Sequence, residues 1–550
     1  MSTVELLAWP RQRWWLRQPS RRNLWRLASS VFVLALIARL ARAVFSRTLA
    51  GAASYDEWVH FGGAEMLLNG SVPYRDFTLL HPPGIILAQL PAALLGKISS
   101  EHVGVIVGRI GVMVLTSLMA AALAVAVRRW GTISALAAGL FAAALAVEVR
   151  VDTEIQLEPF YNTLLTVGVI LAVTTIEHHN PRSAIMNVSA LHHSTKSPLI
   201  PAPVRRWSRL LPYGAGVAFG LAGSIKLIAV VPAVAVIGFA GICVGWRVVI
   251  RMLITAAATG LLIVLPFFAL APRQFTEQVV FTQMGRKASA LAYREQLGPI
   301  SALPLVVRLG LIMLVALAVL AMIIWRVGLK PRSNTAAYAW AVFGVVAMTE
   351  LLVLPSHWGD YDTIMTASLA IGFAALVAWL GGAITRRFRP LPVLFAACTL
   401  ILCLQPMSMR PLLPHDFRPR PGVVQAAQIR TVFAVLPNAD QCIASPLANY
   451  LIMGDRFADN LAQGCPVTLD PAGIASVLRS GFVPPELAHQ DSVDSLPSLL
   501  QSQALSTGLT VIDQEWDYQQ SKWLEAKQKT GDGTKVIAQQ GLLTLWQVGQ

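Results

Sequence analysis

The amino-acid sequence predicts an α-helical polytopic membrane protein of about 11 transmembrane helices, closed by a small extracytoplasmic C-terminal domain of α/β or α+β type. Three observations predict it. Of the 550 residues, 55% are hydrophobic and only 13% are charged, about half the charged fraction of an ordinary soluble domain. Apolar runs approach or exceed the length of about 20 residues that spans a bilayer, and they recur as far as residue 407. The Lys and Arg behind the net charge of +15 fall mostly in short loops between those runs. That is the distribution of the positive-inside rule, and it argues against nucleic acid as a partner.

Residues 1–26 hold six arginines and one acid and lack a small-residue cleavage pattern. They read as a retained cytoplasmic basic arm, with Trp14, Trp15 and Trp25 suited to the interfacial belt. The first span, 27–49, carries the chain outward into a loop at 50–101. There the stretch SYDEWVHFGGAEMLLNGSVPYRDFTLLHPPG (54–84) packs acids, histidines and arginine into a region otherwise aliphatic. Trp58, Phe61, Met66 and Leu67 recur at helical spacing. The pattern predicts a short amphipathic helix in the interface, with Asp56 and Glu57 at its start, where a helix N-terminus favours negative charge. Pro73, Pro82 and Pro83 then force a turn. The run 82–97 is short and contains Pro91, so it reads as a juxtamembrane helix on the outer face.

The next spans, 102–127, 132–147 and 159–176, alternate around Arg128 and Arg129 inside and the acidic loop 148–158 outside. A basic inner loop covers 178–209. Further spans are expected at 210–225, 227–245, 252–271, 303–325, 336–354, 363–382 and 391–407, with outer loops 272–302 and 355–362. The inner loops carry Arg247 and Arg251, then Arg326, Lys330 and Arg332, then Arg386, Arg387 and Arg389. The transmembrane domain is therefore 27–407, in the plasma membrane, with the N-terminus cytoplasmic and the tail 408–550 outside. Cysteines introduced at Ser71 and Ser506 are expected to react with an impermeant label on intact cells, and one at Ser194 is not. Labelling at 194 reverses the orientation.

The tail holds 10 Lys and Arg against 13 Asp and Glu, with strand-like runs CIAS and LTVID between turn signals. Cys442 and Cys465 both lie in it, in an oxidising compartment, which predicts a disulfide rather than a metal site. Cys243, Cys398 and Cys403 fall in spans and read as core residues.

Polar residues gather on the outer side of the membrane. The outer loops contribute Asp56, Glu57, Asp76 and His81, then Asp152, Glu154 and Glu158, then Arg286 and Arg294, then His357, Asp360 and Tyr361 from SHWGDYD. Within the spans, Arg39, Arg42, Arg109, Lys226 and Glu350 sit at mid-depth or above. An ionisable side chain at the helix centre costs about 2.5–3.5 kcal/mol unless it is paired or faces water. So many on one side predict a polar cavity opening outward. Each also has a plain structural reading: Arg39 and Arg42 share a helix face and suit pairing with Glu350 or another carboxylate. Likewise His81 suits a turn, and Glu158 suits a helix start before Pro159.

The Asp-Glu pair after the first span, followed by PYRDF and HPPG and then by LEPFYN in the second outer loop, resembles the GT-C membrane glycosyltransferases. These include protein O-mannosyltransferases, aminoarabinose transferases and oligosaccharyltransferase catalytic subunits. GRKA after QVVFTQM, and SHWGDYD before an apolar helix, are similar to elements of actinobacterial members. The resemblance covers about 27–407 and, more loosely, the tail from Cys442 to Asp470. His81 stands where aminoarabinose transferases have a lysine before Pro-Pro.

The resemblance implies transfer of a sugar from a polyprenyl-phosphate or pyrophosphate carrier to an extracytoplasmic glycan, lipid or protein, with inversion. In that chemistry Asp56 is the first choice of general base, with Glu57 and Glu158 beside it. Arg39, Arg42, His81, Arg109, Lys226, Arg286, Arg294, His357 and Tyr361 are the candidate substrate and phosphate ligands. Asp76, Asp152, Glu154 and Asp360 form a secondary acidic set. Whether the carboxylates hold a divalent cation is open. Two other classes stand as alternatives: a transporter or flippase of envelope lipids, and a non-catalytic envelope assembly protein whose tail does the work.

Overall fold

The apolar runs fold into helices whose polar interruptions set their ends. The computed structural model describes residues 19–179, 208–285, 335–354, 359–380, 412–420, 423–436, 441–488, 495–513, 518–540 and 543–549. Helix α1 (Arg21–Phe45) starts at Ser20, whose hydroxyl accepts from the Asn23 amide at 3.3 Å. The helix takes in Arg21, Arg22 and Arg26, which the sequence reading left to the arm. They are exposed and keep their charge in water, so nothing stops the helix at the bilayer edge. In order follow α2 (Tyr55–Leu68), α3 (Gly84–Ile98), α4 (Glu101–Ala126), α5 (Thr132–Ala144) and α6 (Ala146–Val151). Then come α7 (Leu157–His179), α8 (Leu211–Ile225), α9 (Val230–Val244), α10 (Trp246–Leu270), α11 (Thr335–Val353) and α12 (Thr366–Leu380).

Among the described residues, six helical stretches are long and apolar enough to cross a membrane: α1, α4, α7, Leu227–Val244, α10 and Asp360–Ala378. Shorter apolar helices at α3, α5, α8 and Tyr338–Leu351 accompany them. The expected spans 303–325 and 391–407 lie outside the described residues, as do Arg286, Arg294, His357, Cys398 and Cys403. Small residues let the helices close on one another. Gly216 and Gly220, spaced GxxxG, face α10 so tightly that a Cβ on Gly216 would stand 2.6 Å from the Met252 carbonyl oxygen. In a lipid solvent such packing, not apolar burial alone, holds helices together.

Two expectations for the acidic stretches are corrected. The second acidic loop begins and ends in helix, with a non-helical stretch only from Asp152 to Gln156. Leu145 turns extended (φ −75°, ψ 123°), α6 follows at once, and Asp152 closes it. The stretch at 55–68 is a helix, but not an amphipathic one lying in the interface. Every residue from Glu57 to Met66 is buried, because the tail covers the face expected to meet water. Gly62 marks the contact: a Cβ there would stand 2.6 Å from Leu469 Cδ1.

The tail contains short helices α13 (Ala426–Phe433), α14 (Ala448–Met453), α15 (Phe457–Ala462), α16 (Pro471–Arg479), α17 (Leu496–Thr507) and α18 (Tyr518–Thr530). A two-stranded ribbon joins β1 (Gly51–Ala52), just after α1, to β2 (Val424–Gln425) in the tail. The main sheet is antiparallel in the order β3 (Leu509–Asp513), β5 (Leu543–Gln547), β4 (Lys535–Gln540). The run LTVID is β3, but CIAS is not a strand and pairs only through an isolated bridge from Ala444 to Thr510. Its start is held instead by the Asn460 side chain, which bonds both main-chain groups of Ile443. Cys442 and Cys465 are disulfide-bonded, with Cα atoms 5.5 Å apart.

The tail is tied down at several points. The Glu101 carboxylate, opening α4, accepts from the amides of Phe457 (3.0 Å) and Ala458. Asp455 accepts from the His102 amide at 3.0 Å. Glu486 accepts from the amide and hydroxyl of Thr78 at 2.8 and 2.7 Å. On the membrane side, Gln278 accepts from the Leu79 amide and donates to the Tyr74 carbonyl, so the turn carrying His81 is gripped from both sides.

Candidate active site

A cavity of about 470 Å³ lies where one set of helix ends meets the tail. The first turn of α2 forms one wall. Ser54 is its N-cap, and the turn brings Tyr55 and Asp56 to the cavity. Neighbouring residues on a helix point about 100° apart, so Glu57 faces the interior instead. There Arg109 donates to both carboxylate oxygens, through Nε at 2.7 Å and through Nη2. The Ile155 amide adds a contact at 3.2 Å. Arg109 also reaches the carbonyls of Thr48, Leu49 and Gly51. Both partners are 0% exposed. Burial pushes the Glu57 carboxyl above its ordinary value, and Arg109 opposes that shift.

Arg39 is built in the same way. Its Nη2 lies 2.5 Å from Asp152 Oδ2, and Nε is 2.9 Å from Thr116 Oγ1. Neither member of this pair lines the cavity, and the carboxylate is Asp152, not Glu350. Arg42 donates to the Asp416 carbonyl, outside the cavity lining. Asp76 pairs with its neighbour Arg75 at the surface, away from the cavity. So the structure separates the candidates into closed ion pairs that tie helices together and residues that meet the cavity.

The cavity group is Asp56, His81, Glu154, Glu158, Lys226, Asp360 and Tyr361 from the candidates. Lys226 sits in an extended break between α8 and α9. Its ammonium lies 2.5 Å from Glu158 Oε1 and 3.8 Å from the centre of the Tyr361 ring. Asp360 holds Arg150, and Glu154 holds Arg420. Among the described residues, no group of three or more His, Cys, Asp or Glu is arranged to hold a metal ion.

Sequence reasoning did not assign Tyr55, His60, Arg150, Arg420, Asn449 or Asp470 to the site, although all line the cavity. Asp470 accepts from the Tyr55 hydroxyl and the Gly473 amide, both at 2.7 Å, and so caps α16. Burial pushes its carboxyl up, against the pull of those two bonds. His60 Nδ1 lies 3.0 Å from the Ile155 carbonyl, and burial lowers the pKa of the ring. The signal at Asp470 was its DPAG context, a helix start. At Arg150 it was a cation inside an acidic run. Neither says that the residue faces a cavity.

Fold and site together define a polytopic membrane protein with a cavity roofed by its C-terminal region. The chain aligns with ArnT from Cupriavidus metallidurans in the apo state (TM-score 0.51, 14% identity, 94% of this chain and 97% of that one). The polytopic helical fold expected from the sequence is thus one that this chain shares with that ArnT structure. ArnT bound to undecaprenyl phosphate aligns at TM-score 0.46 with 13% identity, over 94% of this chain and 98% of that one. The oligosaccharyltransferase AglB from Archaeoglobus fulgidus, in complex with an inhibitory peptide and a dolichol-phosphate, aligns at 0.43 with 11% identity, over 94% and 74%. No family model and no curated protein matches the chain by sequence.

Proposed function

We propose that the protein is a membrane glycosyltransferase that moves a sugar from a polyprenyl-phosphate or pyrophosphate donor to an extracytoplasmic acceptor, with inversion. The observation that supports this most directly is Asp56. It opens a buried helix and lines a cavity that also holds basic side chains, in a fold shared with ArnT. In the proposed step Asp56 takes the proton of the acceptor hydroxyl as that oxygen bonds to the anomeric carbon. The bond from that carbon to the donor phosphate breaks, and its electron pair leaves on the phosphate oxygen. Cations at the cavity wall stabilise the departing charge. Glu158 holds Lys226 in place, while Tyr55, Asn449 and Asp470 offer hydrogen bonds to a polyhydroxylic acceptor. Glu154, Glu158 and Asp360 are each spent on a basic partner, a poor fit to a resident divalent ion, so no step is assigned to one.

The test is transfer by purified protein from a panel of polyprenyl-phosphate sugars, read as release of polyprenyl phosphate. Release with formation of a glycosylated acceptor is the expected result. Movement of intact donor across proteoliposomes without release would instead identify a flippase. Mass spectrometry of envelope glycans from a deletion strain identifies the sugar and acceptor.

A further inference from the structure

Two arginines enter the cavity from the two sides of the seam between membrane helices and tail. Arg150 comes from α6, with Nη2 2.6 Å from Asp360 Oδ1. Arg420 comes from the tail, with Nη1 2.8 Å from Glu154 Oε1. Its main chain is anchored independently of that contact: the Arg420 amide donates to the Ser46 carbonyl at 3.0 Å, and β2 follows shortly after. Arg42 lies within electrostatic reach of both, and its buried Nε has no partner among the described residues.

Exposure decides which cation meets a ligand. The Lys226 side chain is 9% exposed, and its charge is covered by Glu158 and the Tyr361 ring. Those of Arg150 and Arg420 are 46% and 43% exposed. A guanidinium carries five donors in a planar fork, and each of these carboxylate pairs uses one terminal nitrogen. The rest of each fork is available to the cavity. Two guanidiniums facing one cavity repel one another, and an anion between the two exposed forks offsets that repulsion. Paired forks suit the tetrahedral oxygens of phosphate better than a point-charge lysine does.

We infer that Arg150 and Arg420 together form a phosphate-binding site at this seam. On the transferase reading, on which this assignment of the phosphate's source rests, the phosphate is the donor's leaving group. The tail then contributes directly to the chemistry.

The experiment measures binding of polyprenyl phosphate, unphosphorylated polyprenol and inorganic phosphate to the full-length protein in nanodiscs. Arg150→Gln and Arg420→Gln are each expected to weaken polyprenyl phosphate binding about tenfold or more, the scale of one charged hydrogen bond. Polyprenol binding should not change, and Arg420→Lys should retain part of the affinity. Glu154→Gln releases the Arg420 fork and is expected to tighten phosphate binding, a test that survives if the arginine variants fail to fold. Loss of inorganic phosphate binding in the glutamine variants, with polyprenyl phosphate unaffected, would keep the site and assign it to a phosphate on the acceptor. Unchanged binding of every phosphate ligand in all the variants would overturn the site and leave the transferase reading standing. If the native protein binds no phosphate ligand, both fall.

Discussion

Asp56→Asn is expected to lower turnover about a hundredfold or more, the usual scale for a lost general base, while donor binding stays near normal. Asn keeps the shape of the side chain but cannot take the acceptor proton. The competing account makes Asp56 a structural residue at the start of α2. The N-cap there is Ser54, and Asp56 lies in the first turn beyond it. A first-turn carboxylate gains about 0.3–1 kcal/mol from the helix dipole, which Asn forgoes. Such a loss would scarcely move turnover. Transfer from a polyprenyl-linked sugar, with donor affinity measured in parallel, separates the two. Turnover close to that of the native protein removes Asp56 from the mechanism and passes the role to Glu158, the other catalytic candidate at the cavity wall.

Arg109→Gln is expected to destabilise the fold by about 3–5 kcal/mol, because it leaves the Glu57 carboxylate buried without its countercharge. Thermal unfolding in detergent should show the loss before any assay of activity does. Replacing both partners with apolar residues, as in Glu57→Leu with Arg109→Met, removes the stranded charge and should recover part of the stability. Recovery stays incomplete, since the carbonyls of Thr48, Leu49 and Gly51 lose their donor too. Had Arg109 been a phosphate ligand, Arg109→Gln would melt like the native protein and fail only in donor binding. That pattern would refute the structural assignment.

The distinction between Arg109 and Arg420 shows how far the sequence could be read. A charge inside an apolar span had to be paired or face water, so Arg39, Arg109 and Lys226 were marked from composition alone. Which of those two fates each meets depends on a partner more than fifty residues away in the chain: Asp152 for Arg39, Glu57 for Arg109, Glu158 for Lys226. Arg420, by contrast, sits in an ordinary polar tail, where an arginine needs no explanation, and nothing local marks it. Asp470 reads as a helix cap and is one. Its second role, accepting from Tyr55 across the seam, has no local signature.

By itself the sequence determined the membrane class, the apolar helices among the described residues, the breaks at Lys226 and Pro83, and several of the acids that line the cavity, because hydropathy, proline and charge act locally along the chain. Only the tertiary structure decided which face of α2 is buried, which acids are closed into ion pairs, and that the tail supplies one wall of the cavity. Each of these depends on groups brought together across the fold, where burial and a countercharge several helices away outweigh local pattern.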